Sequence, residues 1–305
     1  MFDRALKKGS ISFKMITHKK ISFIGGDARM ITAARRLSAD GYTVSAFFGE
    51  TVGGELNKYS TLQNALTESD ILIFPLPVSA DGKLLNAPFL ADKIELLRLA
   101  DDIPMGKTVI GGRIPDDIAD ILQKKNALVI DYFKSEAFQI ENAYTTSEAA
   151  LSIAMNNLRR NIRGAHFAIT GYGRISRTLT ELLLKLGGKV TVLARKESDL
   201  AWARLAGADT KRINAESIIS LTHGYDIIFN TVPTWLFLED FLLLVDDKTL
   251  IIDLASSPGG VDVSAAKRLS SNVLWASSLP GKYAPDSAGE LICSCIKDIV
   301  SEVGI

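Results

Sequence analysis

A glycine-rich turn in the second half of the chain has the residue types that bind a dinucleotide. It reads G-Y-G-R-I-S, from Gly171 to Ser176, and lies between a predicted strand and a predicted helix. Gly171 permits the tight turn, and Gly173 lets the backbone approach a pyrophosphate that the helix N-terminus would bind. A tight turn without a ligand is the alternative. The predicted cofactor contacts here are Gly171, Tyr172, Gly173, Arg174 and Ile175.

The next predicted strand ends in two cations. It spans Val190 to Leu193, and Arg195 and Lys196 follow it closely. A carboxylate at this point would accept a hydrogen bond from the ribose 2′-hydroxyl of NAD, whereas an arginine accommodates the 2′-phosphate of NADP. NADP is therefore the predicted cofactor, with a solvated surface pair as the alternative. The predicted contacts here are Ala194, Arg195, Lys196 and Ser198.

Two further loops follow later strands of the same half. The segment N-T-V-P comes after a strand ending at Asn230, and D-L-A-S comes after a strand that ends near Asp253. Ligands of open parallel sheets bind at the carboxyl ends of the strands, so both loops are expected near the nicotinamide and its ribose. The predicted contacts are Asn230, Thr231, Val232, Pro233, Asp253, Leu254, Ala255 and Ser256.

The first half also has a strand, a glycine turn and a helix. Gly25 and Gly26 follow the buried strand Ile21 to Ile24, and Asp27 and Arg29 follow the glycines. This turn faces the ligand side of a sheet, so Gly26 is a candidate substrate contact and Asp27 and Arg29 are candidate catalytic residues. As alternatives, Asp27 caps the helix and Arg29 is a solvated charge.

A third group of candidates lies outside the strand ends. A connector helix is expected to start at Thr146 or Ser147 and to run to about Asn161, and Lys282 is expected in a loop within P-G-K-Y. Glu148 and Lys282 are the remaining catalytic candidates, and Asp27, Glu148 or a water molecule would receive the proton. No metal-ligand spacing is present. The candidate substrate contacts in these segments are Thr146, Ser147, Pro280 and Gly281.

The elements that must position these residues alternate between strands and helices. This alternation predicts two α/β domains, each a doubly wound parallel sheet of Rossmann-like type, joined by a long helix. We expect a flexible extension over residues 1–18, a substrate or catalytic domain over 19–143, and an NADP-binding domain over 144–285. The C-terminal helix, 286–305, is expected to pack on the first domain.

The composition narrows the possible functions. Among 305 residues, 35 Lys and Arg balance 35 Asp and Glu, so no nucleic-acid or membrane-surface partner is expected. No apolar run reaches the roughly 18 residues of a membrane span. Cys293 and Cys295 are two apart in a predicted helix, a spacing that places them on different faces, which favours free thiols and a cytoplasmic location.

Several longer motifs resemble one family, the A subunit of dipicolinate synthase from spore-forming bacteria, over nearly the whole chain from Lys19. Ser176 departs from the third glycine of the dinucleotide motif, and Lys282 replaces an often apolar residue. The motifs are I-G-G-D-A-R (Ile24–Arg29), P-L-P (Pro75–Pro77), T-T-S-E-A-A (Thr145–Ala150), G-Y-G-R (Gly171–Arg174), L-A-R-K (Leu193–Lys196), N-T-V-P (Asn230–Pro233), D-L-A-S-S-P-G-G (Asp253–Gly260) and L-P-G-K-Y-A-P-D-S-A-G (Leu279–Gly289).

The resemblance implies a function and partners. Its architecture is similar to that of 2-hydroxyacid and alanine dehydrogenases. Its activity would be the NADP-dependent oxidation of dihydrodipicolinate, or of its hydrated tetrahydro precursor from the lysine pathway, to dipicolinate during sporulation. The implied partner is the flavoprotein-like B subunit of dipicolinate synthase, and the implied substrate is a small dicarboxylate. The implied location is the mother-cell cytoplasm. We also expect a homo-oligomer. Two alternatives stay open: an NADP(H)-binding structural or regulatory subunit whose partner does the chemistry, and an NADP-dependent 2-hydroxyacid-type dehydrogenase.

Overall fold

The structure, a computed structural model, describes residues 19–49, 54 and 56–304 and divides the chain into two compact units. The first unit comprises the chain up to Ser135 together with Gly289–Ile305, and the second comprises Glu136–Ala288. The chain thus passes twice from one unit to the other. The extension expected over residues 1–18 lies outside the described residues.

The first unit is built on a six-stranded parallel sheet. The strand order is β3-β2-β1-β4-β5-β6, so the chain direction across the sheet reverses between β1 and β4. Its central strands are buried on both faces, as their apolar sequences predict. The strands are β1 (Ile21–Ile24), β2 (Val44–Phe47), β3 (Asn57–Lys58), β4 (Ile71–Ile73), β5 (Thr108–Gly111) and β6 (Leu128–Asp131), and the helices are α1 (Ala28–Ala39), α2 (Leu62–Glu68), α3 (Leu96–Asp102) and α4 (Asp116–Lys124).

The second unit repeats this topology. Its order is β12-β11-β10-β7-β8-β9, again parallel, with the reversal between β7 and β10. Phe167 and Phe229 stack within the core with ring centroids 6.2 Å apart. The strands are β7 (His166–Thr170), β8 (Lys189–Ala194), β9 (Asp209–Arg212), β10 (Ile227–Asn230), β11 (Leu250–Asp253) and β12 (Val273–Trp275), and the helices are α5 (Glu136–Asn157), α6 (Arg174–Lys185), α7 (Glu197–Leu205), α8 (Ala215–Ile219), α9 (Glu239–Leu244), α10 (Val263–Arg268) and α11 (Leu279–Tyr283).

The last helix, α12 (Pro285–Val303), belongs to the first unit from Gly289 onward, and there it packs against α1. At Gly289 an added Cβ would lie 2.5 Å from the carbonyl oxygen of Arg29, so only glycine permits this close approach. Lys297 forms an ion pair with Asp40 at the other end of α1. The C-terminal residues of the chain are therefore part of the first unit.

The fold corrects two local predictions. Thr146 and Ser147 do not start a helix; they lie inside α5, which begins at Glu136 and ends at Asn157. Their hydroxyls donate to the carbonyls of Asn142 and Ala143, four residues earlier, and this local bonding lets both residues occupy a helix interior. The segment Pro280–Lys282 belongs to the short helix α11, not to a loop, because Pro280 is tolerated in a first turn.

Two searches of the described residues gave negative results. Within residues 19–49, 54 and 56–304, no helix is both long and apolar enough to cross a bilayer. Over the same residues, no group of three His, Cys, Asp or Glu side chains is arranged to hold a metal ion.

Candidate dinucleotide and substrate sites

The glycine turn of the second unit requires glycine at its first position. Gly171 has a φ of +87°, in the left-handed region that other residues rarely adopt. A Cβ there would lie 2.5 Å from Thr231 Oγ1, and the Gly171 amide donates to the carbonyl of Leu193 at 2.8 Å. The turn is therefore fixed between the ends of β8 and β10.

The second glycine faces open space. Gly173 is the N-cap of α6 and, having no side chain, provides no side-chain acceptor for the first turn of the helix. A Cβ at Gly173 would meet no atom within 4 Å, so protein packing does not explain the glycine. An open, uncapped helix N-terminus provides N–H donors and positive potential for phosphate oxygens. The residues present at this turn thus fit the pyrophosphate of a dinucleotide.

Ser176 does more than occupy the place of the third glycine. It is fully buried, and its hydroxyl lies 2.8 Å from Thr231 Oγ1. Thr231 in turn donates to the carbonyl of Thr170 at 2.8 Å. These bonds tie the first turn of α6 to the loop after β10.

The cations after β8 are exposed and free of acidic partners. Arg195 and Lys196 form no ion pair with any residue in the described part of the chain, while the nearby Glu197 pairs with Arg204 at 2.6 Å. Lys196 is the N-cap of α7, so the positive end of a helix dipole adds to the two charges. The predicted contact Ser198 is exposed in the first turn of α7.

The predicted contacts Asn230 and Asp253 have side chains that bond within the protein. Both are buried, and Asn230 Nδ2 donates to Asp253 Oδ1 at 2.8 Å. Asn230 also accepts from Thr170 Oγ1 at 2.6 Å, and Asp253 accepts from the amide of Gly260 at 2.9 Å. The two side chains therefore shape the loops after β10 and β11. In those loops Pro233 and Ser256 are exposed, Thr231 and Val232 are half-buried, and Leu254 and Ala255 are buried.

Three other residues of the glycine turn contact neighbouring protein groups. Tyr172 is buried with the guanidinium of Arg177 5.4 Å from its ring centroid, and burial raises the pKa of its phenol. Arg174 forms an ion pair with Glu136, and its hydrogen bond lowers the pKa of that carboxyl. Ile175, half-buried, packs against the core of the unit.

The glycine turn of the first unit is filled by protein atoms. A Cβ on Gly25 would lie 2.9 Å from Ala87 Cβ, and one on Gly26 would lie 2.3 Å from Met30 Cγ. Asp27 caps α1 by accepting from the amide of Arg29, which was the alternative to a catalytic role. This turn therefore offers no pyrophosphate cradle.

Asp27 and Arg29 form a largely buried ion pair. Arg29 NH2 lies 2.8 Å from Asp27 Oδ2 and also donates to the carbonyl of Leu76, and the Arg29 side chain is only 8% exposed. Arg29 is therefore not the solvated helix charge considered as an alternative. Its guanidinium joins the loops after β1 and β4.

The other substrate and catalytic candidates belong to the second unit. Ser147 is fully buried and donates to the carbonyl of Ile175, so its hydroxyl joins α5 to α6. Thr146 is also buried, whereas Glu148 and Lys282 are exposed. Pro280 is buried and Gly281 half-buried in α11.

Sequence reasoning did not single out the turn after β5. There Gly111 and Gly112 precede Arg113, whose φ of +56° lies in the left-handed region. The signal was present, because a glycine pair directly after a buried strand marks the ligand edge of a parallel sheet.

Comparisons with known proteins support the family resemblance. Residues 20–133 match the family described as the N-terminal domain of the A subunit of dipicolinate synthase. The dipicolinate synthase A subunit of Bacillus subtilis (strain 168) is 27% identical over 295 residues, which cover 95% of this chain and 98% of the relative.

Solved structures agree with both the fold and the resemblance. The crystal structure of the dipicolinate synthase A subunit from Bacillus halodurans superposes with a TM-score of 0.81 at 25% identity, covering 94% of this chain and 99% of that one. An L-alanine dehydrogenase, 11% identical with a TM-score of 0.63 over 92% of this chain and 90% of its own, shares the fold. The two-sheet dehydrogenase architecture predicted from the sequence is therefore confirmed. The predicted resemblance is confirmed as well: this chain is similar to the A subunit of dipicolinate synthase over nearly its whole length.

Proposed function

We propose that this chain is an oxidoreductase that uses NADP⁺ to oxidise dihydrodipicolinate, or its hydrated tetrahydro precursor, to dipicolinate. The similarity to the A subunit of dipicolinate synthase and the dehydrogenase-type fold support the reaction class. The strongest support within the molecule is the open, uncapped N-terminus of α6 at Gly173. A ligand that approaches the backbone closely would account for a glycine with free space beside it.

The second unit would hold the cofactor. The turn from Gly171 to Ile175 would bind the pyrophosphate, and Arg195 and Lys196 would bind the 2′-phosphate with help from Ser198. Because Glu197 pairs with Arg204, its carboxylate does not compete with a 2′-phosphate for Arg195 and Lys196. The backbones of the loops after Asn230 and Asp253 would contact the nicotinamide half. Bound NADP⁺ would accept a hydride from the partly reduced ring.

The candidates for the proton acceptor are Asp27, Glu148 and a water molecule. Asp27 already accepts hydrogen bonds from the guanidinium of Arg29, so both of its carboxylate oxygens are engaged within the protein. Glu148 is exposed on α5 and has no such partner among the described residues. A kinetic comparison of Glu148→Gln with Asp27→Asn distinguishes the two side chains: loss of kcat in only one of them identifies the acceptor, and retention in both favours water.

Activity of the purified chain tests the proposal. Given freshly made dihydrodipicolinate and NADP⁺, the chain alone is expected to produce NADPH, followed by its absorbance. The same mixture with NAD⁺ serves as the control and should react more slowly. Turnover that requires the B subunit would contradict the proposal.

A second candidate function follows from the engaged side chain of Asp27. If neither a residue of this chain nor a water molecule bound by it takes the proton, the chain would bind NADP(H) without catalysing the reaction, and the flavoprotein-like B subunit would do the chemistry. Assembly with that partner would then depend on the nucleotide, and turnover of the complex would survive replacement of Asp27 and Arg29. Loss of turnover with intact assembly would exclude this candidate. The mother-cell cytoplasm and a homo-oligomeric state are part of the same proposal.

A further inference from the structure

The turn after β5 places one arginine at the ligand edge of the first sheet. β5 lies between β4 and β6 and ends at Gly111, and Gly112 and Arg113 follow at its carboxyl end. In open parallel sheets this edge binds ligands. Arg113 is exposed there, and no role in the fold or the cofactor site accounts for it.

Arg113 has a backbone conformation that favours glycine. Its φ is +56°, which a long side chain adopts only at a cost, and such strain is concentrated at functional sites. Asp131 maintains the conformation: Oδ1 accepts from the Arg113 amide at 2.9 Å, and Oδ2 accepts from the Ile114 amide at 3.2 Å. The protein therefore holds an arginine where a glycine would fit without strain.

Neighbouring residues pack closely against the turn after β5 on both sides. A Cβ on Gly112 would lie 2.6 Å from Leu76 Cδ1 and 2.8 Å from Tyr132 Cε2, so the turn is clamped between these residues. The Val78 amide donates to the Gly112 carbonyl at 2.9 Å. Leu76 is itself held by Arg29, so the Asp27–Arg29 pair acts on this turn through Leu76 as a positioning device.

The guanidinium of Arg113 is oriented but has no acidic partner. It lies over the ring of Phe133, with Cζ 4.3 Å from the centroid. Among the residues with described positions, no carboxylate forms an ion pair with it, whereas Nε and Nη2 of Arg29 donate to Asp27 and Nη2 also donates to the carbonyl of Leu76. Stacking on an aromatic face leaves the N–H edge of a guanidinium free to bind a carboxylate through two hydrogen bonds.

We propose that Arg113 binds one carboxylate of the dicarboxylate substrate and product. The proposal rests on the proposed function for the identity of that ligand. It assigns the substrate-anchoring cation to the turn after β5 and gives Arg29, one of the candidate catalytic residues, a positioning role.

Binding of pyridine-2,6-dicarboxylate tests this assignment. The dissociation constant is measured by calorimetry in the presence of NADP⁺ for the wild type, Arg113→Gly, Arg113→Lys and Arg98→Ala. Arg98, an exposed residue of α3 without an ion pair among the described residues, is the matched control. Pyridine-2-carboxylate, with one carboxylate fewer, is titrated in parallel.

Arg113→Gly should weaken dicarboxylate binding about tenfold or more and remove the preference for two carboxylates over one, because a bidentate charged pair is lost. Arg113→Lys should give an intermediate loss, and Arg98→Ala none. Arg113→Gly should also melt at the wild-type temperature or above it, since glycine relieves the strained φ. The affinity for NADP⁺ should stay within about twofold in all variants.

The experiment distinguishes failure of the Arg113 assignment from failure of the proposed substrate. Wild-type affinity for the dicarboxylate in both Arg113 variants would overturn the assignment of Arg113 and leave the proposed function intact. Absence of dicarboxylate binding in the wild type, with NADP⁺ bound, would overturn the proposed substrate and this assignment with it.

Discussion

The two units share one topology but use their first glycine turns in opposite ways. In the first unit, side chains of the protein surround Gly25 and Gly26, and the carboxylate of Asp27 caps the helix that follows. In the second unit, Gly173 has open space beside it and no side chain caps α6. Equivalent positions in equivalent sheets therefore have different chemistry.

This difference shows what a strand–glycine–helix pattern leaves undecided. Both turns have glycines, and both precede a helix with an arginine in its first turn, Arg29 or Arg174. Only the space beside the glycine and the state of the helix N-terminus distinguish a turn that is packed from one that can receive a phosphate. Nucleotide binding is accordingly proposed for the second unit alone.

The largest expected effect is a loss of NADP⁺ affinity when the second glycine turn is given a capping carboxylate like that of the first. Gly173→Asp introduces a capping carboxylate like that of Asp27, and the site has room for it. NADP⁺ affinity should fall about 100-fold, or roughly 3 kcal/mol, because the carboxylate repels the pyrophosphate and takes its donors. Calorimetry gives the affinity, and an unchanged or raised melting temperature is the control. Unaltered NADP⁺ binding would place the pyrophosphate elsewhere.

The converse change, in the first unit, should affect folding instead. Gly26→Ala adds a methyl group 2.3 Å from Met30 Cγ at a φ of +110°, so both overpacking and backbone strain oppose it. We expect a loss of about 2–4 kcal/mol in the free energy of unfolding, measured in urea. Gly173→Ala is the matched control and should cost far less, because its methyl group meets no atom within 4 Å. Equal losses of unfolding free energy in the two variants would contradict the difference in packing between the two turns.

Arg195, which follows β8, should determine whether the protein binds NADP⁺ more tightly than NAD⁺. Arg195→Asp should weaken NADP⁺ binding more than NAD⁺ binding, by a difference of about 1–3 kcal/mol, because it removes a guanidinium from the 2′-phosphate. Lys189→Asp, at the opposite end of β8, changes the net charge equally and serves as the control. An equal loss for both nucleotides would argue against contact with the 2′-phosphate.

The smallest expected effect is that of removing the ion pair between Arg174 and Glu136. Arg174 forms an exposed pair with Glu136, unlike the buried pair of Arg29, so Arg174→Gln should lower the melting temperature only slightly. Because Arg174 lowers the pKa of Glu136, the pair stabilises the fold above the ordinary pKa of a glutamate, and this contribution disappears as the pH falls through the lowered pKa. Wild type and variant should therefore converge in acid. A difference that persists there would assign Arg174 a packing role.

Sequence periodicity predicted the sheets well but missed two edge strands. The central strands are apolar runs such as Ile21–Ile24, which only a sheet covered on both faces can bury. β3 (Asn57–Lys58) and β9 (Asp209–Arg212) lie at sheet edges, where polar residues face solvent and leave no apolar pattern. Edge strands of this kind follow from pairing with a neighbour, which local sequence does not encode.

Polar residues of the candidate site were harder to interpret. Asn230 and Asp253 end adjacent strands in register, so they bond to each other, and a single sequence does not reveal that pairing. From the sequence, Ser147 was predicted to start a helix, whereas in the structure its hydroxyl connects α5 to α6. The contact predicted for Arg195 stays a prediction: the side chain is exposed and forms no ion pair among the described residues. The glycine turns were found from sequence, but their packing depends on Met30, Ala87 and other tertiary neighbours.

Hydrogen–deuterium exchange with and without NADP⁺ tests the contrast between the two turns most directly. NADP⁺ should protect amides in both Gly171–Ser176 and Ala194–Ser198, and NAD⁺ should protect mainly the first of these segments, because it lacks the 2′-phosphate. Exchange in Gly25–Arg29 should not change on cofactor binding. Protection of Gly25–Arg29 together with unchanged exchange in Gly171–Ser176 would contradict the assignment of the nucleotide to the second unit.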